Sequence, residues 1–121
     1  MIKKEGHYIL TIEDWNLISK YFMVNPKAIT IKEFPNLMFT EYKVYDIFSN
    51  KVLFSFYNHD GKIRISGNGK TIMYEIDISQ VLTKNPTPIP QSIFDAIKIN
   101  AHNSHAMTMK NIKNKFVNKN K

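Results

Sequence analysis

A chain of 121 residues, 43% hydrophobic and 22% charged, is sized and composed for one globular domain and not for a disordered chain. It has no cysteine, which excludes disulfides, cysteine-ligated zinc and thiol nucleophiles and suits an intracellular setting, cytoplasmic or nuclear. The formal net charge is +7, but Lys110, Lys113, Lys115, Lys119 and Lys121 fall in residues 101–121 with no acidic residue, leaving about +2 for residues 1–100.

The chain opens MIKKEGHYILTIEDW, in which no more than three apolar residues are consecutive. That is too short for a signal-peptide core, and no later run approaches a membrane span, so no membrane partner is expected. Tyr8, Ile9 and Leu10 predict a short strand. A helix follows, carrying Trp15, Ile18 and Phe22 on one face. Thr11 with Asp14 three residues on has the form of a capping box, with Asp in place of Glu or Gln. Asn25-Pro26 marks a break and Pro35-Asn36 a turn. Between and after them, AITIKEF at 28–34 and EYKVYDIF at 41–48 are rich in β-branched and aromatic residues and predict strands.

Residues 51–78 predict a three-stranded antiparallel meander. VLFSFYN, KIRIS and KTIMYEIDI are separated by Asp60-Gly61 and Asn68-Gly69, dipeptides that tolerate the positive φ a hairpin needs. Ile63 and Ile65 should share one face, as should Ile72, Tyr74, Ile76 and Ile78. Pro86, Pro88 and Pro90 exclude a regular helix or central strand from residues 84–90. QSIFDAIKIN at 91–100 then predicts a short amphipathic helix with Ile93, Phe94 and Ile97 as its apolar face. The expected fold is α+β: a small antiparallel sheet of about five strands, an N-terminal helix and a short C-terminal helix. Residues 1–100 form the domain, and 101–121 a basic tail.

The order Tyr8-Ile9-Leu10, then Trp15-Asn16, Ile18 and Tyr21-Phe22 resembles the C-terminal half of the DUSP domain, the accessory domain of ubiquitin-specific proteases. Ile29, Ile31, Lys32 and Glu33 follow its next strand loosely, and Tyr42, Val44 and Tyr45 its last. The resemblance spans residues 5–48. The family's N-terminal helices and Pro-Gly-Pro-Ile segment have no counterpart here. In several such proteases a ubiquitin-like domain comes next, which residues 51–100 would represent in diverged form. That alternative makes 71–82 a helix, whereas the period-2 alternation of Ile72, Tyr74, Ile76 and Ile78 predicts a strand. The resemblance implies an accessory module in the ubiquitin pathway, without the peptidase chemistry, for which no cysteine is available.

No motif marks an active site, a cofactor or a metal. Gly67-Asn68-Gly69-Lys70-Thr71 ends like a phosphate-binding loop, but Arg64 stands where such a loop needs glycine, and a hairpin accounts for it. His102 and His105, with Met107 and Met109 nearby, have no accompanying carboxylate. Glu13-Asp14 suits a helix start better than acid–base chemistry. Phe54 and Phe56 should be core. The sequence therefore supports a non-catalytic protein-interaction module, with Trp15 and Tyr21 as the binding candidates if exposed. The alternative is a small basic nucleic-acid-binding protein that uses Lys62, Arg64 and Lys70 of the hairpin and Lys110, Lys113 and Lys115 of the tail. Arg64 is the chain's one arginine, which weakens that alternative because arginine dominates bidentate phosphate and base contacts.

Overall fold

A computed structural model describes residues 1–66 and 71–101. The first element is one the sequence reading missed. Strand β1 (Ile2–Lys4) pairs antiparallel with β2 (His7–Ile9) in a separate two-stranded sheet. Glu5 and Gly6 join them with φ of 52° and 79°. Two consecutive positive φ values are what a two-residue type I′ hairpin requires.

Helix α1 (Ile12–Tyr21) begins with the expected capping box: the Asp14 backbone N–H donates to Thr11 Oγ1 and the Thr11 N–H to Asp14 Oδ2. It ends in a Schellman motif. The Val24 N–H donates to the Ser19 carbonyl and the Met23 N–H to the Lys20 carbonyl. This motif sets the residue after the C-cap in the left-handed region, a position glycine usually fills. Here it is Met23, at φ 60°. A short 3-10 turn at Pro26–Ala28, capped by the Asn25 side chain, leads into the sheet.

The sheet is an antiparallel meander of β3 (Ile29–Pro35), β4 (Thr40–Asp46), β5 (Val52–Tyr57), β6 (Lys62–Ser66) and β7 (Ile72–Asp77), in chain order. Residues 72–77 are strand, as the alternation predicts. Ile78, expected to continue it, instead opens a 3-10 turn whose N-terminus the Asp77 carboxylate caps. Helix α2 (Gln91–Asn100) closes the described chain. Ala101, placed in the tail by the sequence reading, is buried in the core, and its N–H donates to the Ile97 carbonyl.

One core unites both helices with one face of the sheet. Ile18 of α1, its C-cap residue Phe22, and Ile93 and Ile97 of α2 meet Val44, Phe54, Phe56, Ile63, Ile65 and Ile76. Phe22 lies against Phe54 at 4.8 Å between ring centroids. The ladder between β4 and β5 shifts register after Val44, leaving Leu53 without a partner. This bulge lets Leu53 and Phe54 both enter the core, which strict alternation forbids. Asp46, fully buried, ends β4 by accepting the Phe48 and Ser49 N–H groups at Oδ2, while its Oδ1 has no hydrogen-bond partner.

The β1–β2 hairpin docks on the connection between β5 and β6. The Tyr8 N–H donates to the Asn58 carbonyl, and Asn58 in turn accepts the Thr40 N–H at Oδ1 and donates its own N–H to the Thr40 carbonyl. Gly61, at φ 69°, lies under the Tyr8 ring, where a Cβ would come within 2.7 Å of a ring carbon.

Three stability differences follow from this arrangement. Phe22→Ala should cost about 3–5 kcal/mol, the range for deleting a fully buried aromatic ring. Trp15→Ala should cost less, because Trp15 is only half-buried. Met23→Gly should raise stability by about 1 kcal/mol, since the left-handed strain it relieves exceeds the entropy glycine adds to the unfolded chain. Urea denaturation of the three variants beside the parent measures all of these.

Candidate functional site

The apolar face of β3 alternates Ile29, Ile31 and then Glu33. The period of two that puts the isoleucines toward α1 also puts the Glu33 carboxylate at the end of their row. Across the ladder Glu33 pairs with Tyr42, which belongs to the same face. Tyr42 packs against Trp15 of α1 at 5.8 Å between centroids, and Trp15 meets Phe56 edge-on at 5.9 Å. The helix does not cover this corner of the sheet completely. A cleft of about 380 Å³ remains, lined by Ile9, Leu10, Trp15, Ile31, Glu33 and Tyr42.

The cleft combines two half-buried aromatic rings, three aliphatic side chains and one carboxylate. Among the described residues no ion pair involves Glu33. Burial raises the pKa of the Tyr42 hydroxyl, and the nearby Glu33 charge raises it further, so Tyr42 stays neutral. The cleft also borders an open edge. β3 is the first strand of the sheet and no other described strand pairs with its outer side.

Of the protein-binding candidates, Trp15 thus lines the cleft and Tyr21 does not. Tyr21 is half-buried, stacks edge-on against Phe22 at 4.9 Å, and donates its hydroxyl to the Thr87 carbonyl in the proline-rich connector. It fastens that connector to α1. Sequence reasoning passed over Glu33 and Tyr42 as sites. The available signal was a charge at the end of an apolar alternating row.

The nucleic-acid candidates lie on the opposite face of the sheet, and there the charges are internally balanced. Arg64 pairs with Asp60 at 2.6 Å and with Glu75 at 3.6 Å, and Lys62 with Glu75 at 3.0 Å. The Arg64 guanidinium also covers the Tyr57 ring, 4.4 Å from its centroid. Neither cation can neutralise a phosphate without loosening a pair that already exists. Phe54 and Phe56 are core residues, as expected, and offer no stacking surface. Lys70, Lys110, Lys113 and Lys115 lie outside the described residues, as do His102 and His105.

Among the described residues no group of three or more His, Asp or Glu side chains converges as a metal site. Nor is any described helix long and apolar enough to cross a membrane. No family model matches the chain, and comparison with curated proteins and with solved structures returns no match.

The Asp60–Arg64 pair gives the outer face a pH signature. Burial works to raise the Asp60 pKa, but the hydrogen bonds from Arg64 and the Lys62 backbone, with the Arg64 charge, prevail and hold it below the ordinary 3.8. A carboxylate lowered on folding contributes stability that is complete above its unfolded pKa and is lost as pH falls through the folded one. Parent and Asp60→Asn should therefore differ in stability at neutral pH and converge once the pH drops well below 3.8. Chemical denaturation at a series of pH values measures the convergence.

Proposed function

We propose that this chain is a non-catalytic protein-interaction module whose binding site is the cleft between α1 and the β3 edge. The supporting observation is the cleft itself: a concavity of about 380 Å³ with half-buried Trp15 and Tyr42 as walls, opening beside a strand edge that no other described strand pairs with. Aromatic rings that are partly desolvated before binding lose little entropy on contact and anchor interfaces for that reason. An open edge beside them offers main-chain hydrogen bonds to an extended segment, while the cleft selects its side chains. The resemblance of residues 5–48 to an accessory domain of ubiquitin-specific proteases points to the same class of function.

The test is to pan a library of displayed linear peptides against the folded protein. Enriched peptides should shift the backbone amide resonances of Leu10, Trp15, Ile31 and Tyr42 and shield Trp15, the chain's one tryptophan, from acrylamide quenching. Peptides that perturb only the outer face, or a library that yields no enrichment, would remove the reading.

A further inference from the structure

From the chemistry of the cleft we infer the class of side chain it takes: the alkylammonium group of a lysine on a partner polypeptide. This rests on the cleft being the binding site, and it goes further by assigning what fills it.

Three features select a cation with an apolar stem. The first is the Glu33 carboxylate, which lines the cleft and enters no ion pair among the described residues. On the opposite face, by contrast, Glu75 is engaged by both Lys62 and Arg64. The second is the pair of rings. Trp15 and Tyr42 both line the cleft and are inclined at 55° to each other, so they do not form a flat stack. The negative face of an aromatic ring attracts an ammonium, tryptophan most strongly. The third is the aliphatic lining of Ile9, Leu10 and Ile31, which suits the methylene stem of a lysine while its charged end stays toward the rim.

The same features reject the alternatives. A carboxylate or phosphate would meet Glu33 with like charge. A purely apolar side chain would fill the aliphatic part but leave Glu33 desolvated without a partner, which is unfavourable. An arginine carries a planar guanidinium in place of a compact ammonium and is the nearest competitor. A partner polypeptide is favoured over a free amine because the cleft adjoins the edge of β3 that no other described strand pairs with, where an extended chain gains backbone hydrogen bonds that a small amine cannot make.

The experiment titrates the full chain with three probes and follows Trp15 fluorescence, supported by amide shifts at Ile31 and Tyr42. The probes are an acetylated and amidated Ala-Lys-Ala tripeptide, the same tripeptide with norleucine for lysine, and butylamine. The lysine tripeptide should give a saturable change that weakens with added salt. Glu33→Gln should weaken it about fivefold, in line with one partly exposed charge pair. Because Glu33 is exposed and outside the core, this variant should keep the parent's melting temperature. The norleucine tripeptide should bind more weakly than the lysine one, and butylamine more weakly still.

Equal binding of the norleucine and lysine tripeptides, or no effect of Glu33→Gln, would overturn the assignment of a cation. Butylamine binding as tightly as the lysine tripeptide would overturn the assignment to a polypeptide. If library peptides bind the cleft while lysine probes do not, the cleft stands as the site and this inference alone fails. If neither binds, both fail.

Discussion

Everything else in the molecule depends on covering one face of the meander. A five-stranded antiparallel sheet with Val44, Phe54, Phe56, Ile63, Ile65 and Ile76 turned to one side is stable in water only if that side is closed. Two ten-residue helices are available to close it, one before and one after the sheet in the chain. Burying a side chain of Phe or Ile size contributes about 1.5–3 kcal/mol relative to leaving it in water. The contact of Phe22 with Phe54 is therefore a fixed point: it sets where α1 lies, and the position of α1 sets what is left uncovered.

What is left uncovered is the corner where the candidate site forms. α1 is only ten residues long, and near its start Trp15 reaches the sheet. Trp15 bridges to Tyr42 and Phe56 but is half-buried, and Glu33 sits just beyond. The cleft is a consequence of a short helix on a wider sheet. The hairpin of β1 and β2 limits the cleft on another side by contributing Ile9, and that hairpin is held in turn by Tyr8 over Gly61 and by the hydrogen bonds of Asn58. A loop glycine and a buried asparagine far along the chain thus help to shape a site formed mostly from residues 9–42.

The two faces of the sheet differ in how charge is treated. On the outer face Asp60, Lys62, Arg64 and Glu75 form a closed network, with Arg64 lying over Tyr57. Such a network stiffens the β5–β6 connection and leaves little net potential. In the β3–β4 ladder Lys32 stands directly across from Lys43, and each lysine lies over a ring, Tyr45 and Phe34 respectively. Ring contacts offset part of the repulsion between like charges that face each other across strands. On the apolar side the single charge lining the cleft, Glu33, enters no ion pair among the described residues.

Much of the architecture was legible in the sequence because it is written in local terms. The Thr11–Asp14 capping box, the alternation over 41–48 and 51–57, the Asp60-Gly61 turn and the amphipathic 91–100 segment each depend on neighbours within a few residues. The α+β class follows from their order. The β1–β2 hairpin was hidden because Glu5, unlike Asn or Asp, gives no turn signal at positive φ. Leu53 was hidden because a bulge breaks the period on which the reading relied. The site was beyond the sequence for a different reason. Trp15, Glu33 and Tyr42 come from a helix and two strands, and their meeting is set by the angle and length of α1 over the sheet. Likewise the ion pairs that occupy Lys62 and Arg64 depend on the register of β6 against β7. Local pattern determined which elements form and which face of each is apolar. Only tertiary packing decided which charges are already matched and which one faces an open cleft, because that depends on distances between residues the chain does not place side by side.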